Sequence, residues 1–209
     1  MSIGDAEIKT QERVIRFFKD PEILGYQYIG NLSDYQNKNI KEDRLRQYLR
    51  LKGYADKLID AAVMQLQQEA GNLSRGVYDA NKTVYSRLKY GIPVSESPEK
   101  PPVTVELIDE ANPLNNDFAI AEEVTVVEQQ EKRPDLVIYL NGIAVAVIEL
   151  KRSSISVSEG IRQNLTNQKD SFIRGFFTTM QFCMAGNESE GLRYGTLLTG
   201  EKFYMEWKD

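Results

Sequence analysis

The sequence predicts an α/β protein, a central mixed β-sheet flanked by helices, with a helical N-terminal part. Three observations predict it. Apolar residues recur at helical spacing through residues 1–92, a doubly apolar hairpin pattern occupies 133–152, and one further helical stretch lies between that hairpin and a last group of strand-like segments. In the N-terminal part, "DAEIKTQERVIRFFKD" places Ile8, Val14, Ile15, Phe17 and Phe18 before Pro21 breaks the pattern. "KEDRLRQYLRLKGYADKLIDAAVMQLQQEAG" continues with Leu45, Tyr48, Leu49, Leu58, Ile59 and Ala62 up to Gly71. "DANKTVYSRLKYG" adds a helix with Asp79 as N-cap and Gly91 as stop.

The next segment, "IPVSESPEKPP", holds four of the chain's seven prolines and reads as a loop, since proline supplies no backbone N–H to a helix or a central strand. The expected organisation is therefore a helical part over 1–92 packed on the core, a Pro-rich loop over 93–102, and a core of sheet and helix over 103–209. Strand signals follow in "VTVELID", "FAIAEEVTVV", the hairpin, "TMQFCMAG", "YGTLLTG" and "KFYMEW". Between them "SVSEGIRQNLTNQKDSFIRGFF" offers Ser156 or Ser158 as N-cap, Glu159 in the first turn, and Ile161, Leu165, Phe172, Ile173 and Phe176 on one side. A strand, a helix and a strand in that order favour a right-handed crossover.

Composition narrows the chemistry. The 209 residues contain no histidine, which removes Ser-His and Cys-His nucleophiles and imidazole zinc sites together. Hydrolytic chemistry must rest on carboxylates and lysine, with a hard metal ion as an optional addition. The net charge of −5 argues against a protein that coats nucleic acid through a global field, while leaving room for a local basic cleft. Cys183, the single cysteine, reads as a small buried hydrophobe and fits a cytoplasmic protein. No apolar run approaches the length that crosses a bilayer, and no export signal opens the chain.

The hairpin "RPDLVIYLNGIAVAVIELKR" is apolar on both faces, so it needs cover on both. Asp135 stands at its start, and Glu149 and Lys151 stand at its end. Asn141-Gly142 between two apolar runs is a strong hairpin signal. A two-residue loop in an unbroken ladder would set Pro134 opposite Glu149 and send Asp135 to the other face. A three-residue loop, Leu140 to Gly142, with Gly142 in the left-handed position of a G1 bulge, pairs Tyr139 with Ile143 and brings Asp135, Glu149 and Lys151 onto one face. The three-residue loop is the expected one.

"PDLVIYLNGIAVAVIELK" resembles the PD-(D/E)xK nuclease signature in the form found in the N-terminal endonuclease domain of type I restriction enzyme R subunits. The match runs over Pro134, Asp135, Asn141, Gly142, Glu149, Leu150 and Lys151. The resemblance implies the PD-(D/E)xK restriction-endonuclease-like fold and a Mg²⁺-dependent DNA endonuclease. Asp135 and Glu149 would bind Mg²⁺ with the carbonyl of Leu150, and Lys151 would activate water and offset charge on the transition state. Gln163, twelve residues past the lysine, would orient the phosphate or the lysine. Asn167 stands where the family often shows a tyrosine. A glutamate of the first helix would approach the metal, with Glu12 the candidate and Glu7 the alternative. Lys151, Arg152, Arg162, Lys169 and Arg174 would contribute to a DNA path.

Family membership further implies double-stranded DNA and the modification and specificity subunits as partners. It implies ATP only for motor domains downstream, and the chain reads as a fragment of such a subunit. The other expectations are a non-catalytic docking or DNA-holding module of the same fold, and a stand-alone repair or structure-specific nuclease.

Overall fold

The computed structural model describes residues 3–208, with side chains from Ile8 onward. Helix α1 (Ile3–Lys19) leads to strand β1 (Gln27–Asn31), then to α2 (Glu42–Leu51), α3 (Asp56–Gly71) and α4 (Val77–Tyr90). Short strands β2 (Ile92–Val94) and β3 (Val103–Val105) follow, then β4 (Phe118–Glu122), β5 (Val126–Val127), β6 (Glu131–Lys132), β7 (Leu136–Leu140) and β8 (Ile143–Leu150). Helix α5 (Val157–Asn167) precedes β9 (Phe182–Asn187), β10 (Gly191–Gly195) and β11 (Met205–Glu206). Seven strands form a mixed sheet in the order β1-β4-β7-β8-β9-β10-β11, with β2-β3 and β5-β6 as separate two-stranded ribbons. The α/β class and the mixed sheet between helices are as the sequence predicts.

Both faces of the central strands are covered. One face packs Ile120, Leu136, Ile138, Ala146 and Ile148 beneath Ile15 of α1. The other packs Ala119, Val137, Tyr139, Ala144 and Val147 beneath Val77 of α4 and the 3-10 turn carrying Phe176 and Phe177. A second apolar cluster gathers α2, α3 and α4 around Leu45, Ile59, Leu66 and Val84, and Ile143 of β8 joins it.

The N-terminal part is not wholly helical. "QYIGN" forms β1, parallel to β4, in a stretch whose isolated apolar residues carry no long alternation. The second helical stretch divides at Gly53, φ +85, into α2 and α3. Asp79 lies in the first turn of α4 and Gly76 takes the N-cap position, whereas Gly91 ends that helix as expected. Pro93 lies within β2, in a ribbon outside the main sheet, which spares the central ladder a missing N–H. The helical stretch from Ser156 stops at Asn167, whose carbonyl accepts the Ile173 N–H at 3.2 Å, and the chain then turns into the 3-10 segment Arg174–Thr179. "RYGTLLTG" is strand only to Gly195, and "KFYMEW" is a 3-10 turn followed by β11.

The hairpin loop is also corrected. Leu140 pairs with Ile143, so Asn141 (φ +52) and Gly142 (φ +83) alone form the loop, a two-residue turn with both centres left-handed. The ladder is not unbroken, however. Tyr139 pairs with Ala144 and Ile138 with Ala146, which leaves Val145 as the extra residue of a β-bulge. Beyond it Leu136 pairs with Ile148, a register that sets Asp135 opposite Glu149. The extra residue thus sits in β8 rather than in the loop. A Cβ on Gly142 would meet Lys41 O at 2.6 Å and Leu45 N at 2.8 Å, so α2 closes directly over it.

Candidate functional site

The candidate site lies at one end of the sheet. Strands β1, β4, β8 and β9 run in one direction and finish there, while β7 begins there. The strand ends bring Glu122 of β4 and Glu123 just after it, Asp135 before β7, and Glu149 and Leu150 of β8 with Lys151 just after it into one neighbourhood. Glu123 adopts φ +50, a conformation that costs a non-glycine residue about 1–2 kcal/mol. The kink lets its N–H reach Asp135 O at 2.8 Å and lets Val124 N reach Pro134 O at 3.0 Å, which anchors the segment carrying Asp135.

Glu149 is fully buried. Its Oε2 accepts a 2.6 Å hydrogen bond from Gln163 Nε2, and its Oε1 accepts none from any N–H or O–H donor among the described residues. Burial pushes the Glu149 carboxyl well above the usual carboxylate range, and the adjacent Asp135 charge adds to the shift while Lys151 opposes it. The Asp135 carboxyl can complete Oε1 only if the pair shares a proton or a cation. Asp135 Oδ2 accepts the Leu150 N–H at 2.7 Å, which fixes one carboxylate to the backbone beside the other. Lys151 Nζ donates to Leu150 O at 3.1 Å, and the Lys151 N–H to Gly186 O at 2.9 Å. The two carboxylates and the Leu150 carbonyl make an oxygen-only donor set. No group of three or more His, Cys, Asp and Glu side chains suited to a metal occurs among the described residues.

Gln163 reaches Glu149 because α5 lies unusually close to the sheet. A Cβ on Gly160, one turn earlier, would meet Ala185 Cβ at 3.0 Å and Glu149 O at 3.4 Å. The start of α5 is pinned by Ser156, whose side chain accepts from Ser158 N, and by Glu190, which accepts the Val157 N–H at 2.9 Å. Asn167 is buried at the helix end.

The remaining expected residues separate. On α1 the buried positions are Thr10, Gln11 and Ile15, and Glu12 is exposed, about 100° round the helix from Gln11. Among the described side chains of α1, Gln11 reaches the end of β4, donating to Glu122 Oε2 at 3.0 Å and Glu123 Oε1 at 3.3 Å, while Thr10 reaches Glu188 just past β9. The side chain of Glu7 lies outside the described residues. Lys151 and Arg152 are half-buried, and Lys169 is exposed just past α5. Arg162 is held between Glu159 and Glu201, both at 2.8 Å, and Arg174 pairs with Asp170 at 2.5 Å. Sequence reasoning missed Gln11, Glu123 and Gly160. A lone glycine inside an apolar helical pattern is the signal that would have found the last.

Among the described residues no helix is long and apolar enough to cross a membrane. The model of the family "Type I restriction enzyme R protein N terminus" matches residues 7–203. A protein of Methanocaldococcus jannaschii, provisionally named type I restriction enzyme MjaIXP endonuclease subunit, is 33% identical over 97 residues, 43% of this chain and 9% of that protein. The type I restriction enzyme SsaAORF53P endonuclease subunit of Staphylococcus saprophyticus is 29% identical over 112 residues, 51% of this chain and 12% of that protein. The SauMSSORF170P endonuclease subunit of Staphylococcus aureus is 27% identical over 111 residues, again 51% of this chain and 12% of that protein. The matched segment thus spans about a tenth of the length of these relatives. With its signature residues converging at one sheet end and its sequence matched almost throughout, the chain belongs to the type I restriction enzyme R protein N-terminus family.

Proposed function

We propose that this chain is the DNA-cleaving module of a type I restriction enzyme R subunit, a PD-(D/E)xK nuclease hydrolysing phosphodiester bonds of double-stranded DNA with Mg²⁺. The observation that carries the reading is the Asp135–Glu149 pair. Two carboxylates are opposed across neighbouring strands, and one of their oxygens is buried without an N–H or O–H donor, an expensive arrangement unless a shared proton or a cation completes it. The donor set of Asp135, Glu149 and the Leu150 carbonyl is all oxygen, which fits a hard cation. When bound there, Mg²⁺ would supply Lewis acidity toward a phosphate oxygen and lower the pKa of a water.

The chain's own groups then have separable tasks. Gln163 fixes Glu149 Oε2 and leaves Oε1 directed at the partner carboxylate. Asp135, tied to the Leu150 N–H, cannot swing away. Lys151 is held at the strand exit by the Leu150 carbonyl, where its ammonium offsets charge gathering on the phosphoryl oxygens and can exchange a proton with the attacking water. Lys151, Arg152 and Lys169 bind flanking phosphates. Specificity and modification subunits supply sequence recognition, and ATP-driven translocation belongs to other parts of the R subunit. The test is cleavage of a target plasmid with Mg²⁺ and ATP by the reconstituted complex. Asp135→Ala and Lys151→Ala should each lose at least about 10²-fold, and full nicking by both variants would reject the site.

A further inference from the structure

Helix α4 carries a second surface that the carboxylate site does not use. Its buried side is Val77, Ala80, Val84 and Leu88. On the opposite side Tyr78, Lys82, Tyr85 and Lys89 follow one another at spacings of four, three and four, a single helical stripe. The tyrosines are 59% and 49% exposed, and both lysines are exposed. Arg75 stands in the turn before the helix and lines, with Lys82, an open groove of about 440 Å³ that also presents Asn72, Ser74 and Thr83.

Several surface arginines are paired with carboxylates, whereas, among the described residues, the cations of this stripe are not. Arg46 and Arg50 of α2 are matched to carboxylates, as are Arg162 of α5 and Arg13 of α1. Arg87, on the same helix α4, is matched to Glu69. Among the described residues no carboxylate lies in ion-pair distance of Arg75, Lys82 or Lys89. Of the two acids that also line the groove, Glu69 is committed to Arg87, and Asp79 sits in the first turn of α4, where it complements the helix dipole. A chain of net charge −5 thus keeps three unmatched cations, interleaved with two exposed phenols, on one line roughly 20 Å long at about 1.5 Å per residue.

We infer that this stripe and its groove bind the phosphodiester backbone of duplex DNA, as a second contact distinct from the carboxylate site. Lysine and arginine supply the charge, while the tyrosine, serine, threonine and asparagine groups are those that position phosphates by hydrogen bonding. The stripe's length corresponds to roughly six base pairs. The choice of DNA as the partner rests on the proposed nuclease reading.

The experiment measures binding of the metal-free chain to a labelled 20-base-pair duplex by fluorescence anisotropy between 50 and 200 mM salt. Removing three phosphate contacts in an Arg75→Gln/Lys82→Gln/Lys89→Gln variant should flatten the slope of log K against log salt by about 2.7. Tyr78→Ala/Tyr85→Ala should weaken binding with the slope unchanged. Circular dichroism melts matching the parent chain establish that both variants fold. No binding by the parent at 50 mM salt, or an unchanged slope in the triple variant, overturns the inference. So does equal, variant-sensitive binding to polyglutamate, which would make the stripe a dock for acidic protein. Asp135→Asn is run in both assays. Normal cleavage by it defeats the nuclease site while the salt slope still decides the stripe.

Discussion

At the scale of single residues, Glu149 is where fold and function pull apart. A carboxylate deprived of water costs several kcal/mol unless compensated, and here burial first, and Asp135 second, push its pKa upward. Because the folded-state pKa lies above the unfolded one, the folded chain binds more protons over that interval. Stability of the metal-free chain therefore falls as pH rises from about 4.5 through the folded-state pKa. Glu149→Gln removes that cost and keeps an oxygen for Gln163. It should stabilise the metal-free chain by about 1 kcal/mol or more, a rise of about 2–4 °C in Tm for a domain of this size. Mg²⁺ should raise the Tm of the parent and not of the variant. Scanning calorimetry at pH 7 with EDTA and with Mg²⁺ checks both, and a parent Tm indifferent to Mg²⁺ together with a destabilised variant would contradict the account. These residues were legible in the sequence because charges at the ends of apolar strands stand out. Gln11 was not, since a neutral amide on a helix face carries no such mark, and only the packing of α1 shows that it, and not Glu12, meets the strand ends.

At the scale of elements, the site depends on two departures from ideal geometry. The bulge at Val145 reverses the effect of the two-residue turn. Without it the ladder would set Pro134 opposite Glu149, and with it Asp135 takes that place. The face shared by Asp135, Glu149 and Lys151 was legible from their spacing, but the location of the extra residue was not. Loop and strand bulges of equal count give the same facing, and Ala144 and Val145 are both ordinary strand residues. The second departure is the close approach of α5 at Gly160. Gly160→Val would press on Ala185 and on the Glu149 backbone, forcing the helix outward. Overpacking of this kind costs about 1–3 kcal/mol. The larger effect falls on chemistry, because Gln163 would lose its 2.6 Å contact and release Glu149 Oε2. Cleavage by the reconstituted complex should fall about 10²-fold, as misplacement by about 1 Å commonly produces, with DNA binding retained. A fully active variant would show that α5 can shift without cost to the site.

At the scale of the whole molecule, the sheet and the helical cluster of α2, α3 and α4 are joined at the end opposite the carboxylates, and the Asn141-Gly142 turn is the joint. Asn141 is fully buried. Its Oδ1 accepts the Asp117 N–H at 2.7 Å, and its Nδ2 donates to Leu107 O and to Asn116 Oδ1, both at 2.8 Å. The Gly142 carbonyl accepts the Lys41 N–H at 2.7 Å at the start of α2. The dipeptide that announces a hairpin in the sequence is therefore also the peg on which the 107–117 loop and the first turn of α2 hang. No local pattern could show that second role, because Leu107, Asn116 and Lys41 lie 25 to 100 residues away. Asn141→Ala removes the amide and strands the Asp117 N–H and the Leu107 carbonyl, while Asn116 Oδ1 keeps only the Asp109 N–H. Each stranded group costs about 1–3 kcal/mol unless water reaches it. The variant should lose about 3 kcal/mol or more in a two-state denaturant titration, and its amide exchange should quicken first in 107–117 and at the start of α2. Gly142→Ala acts on the same joint through sterics, since its Cβ would stand 2.6 Å from Lys41 O in a left-handed conformation, and it should loosen the same two segments. Exchange that instead quickens uniformly, or first at the ends of β4 and β8, would place the joint elsewhere.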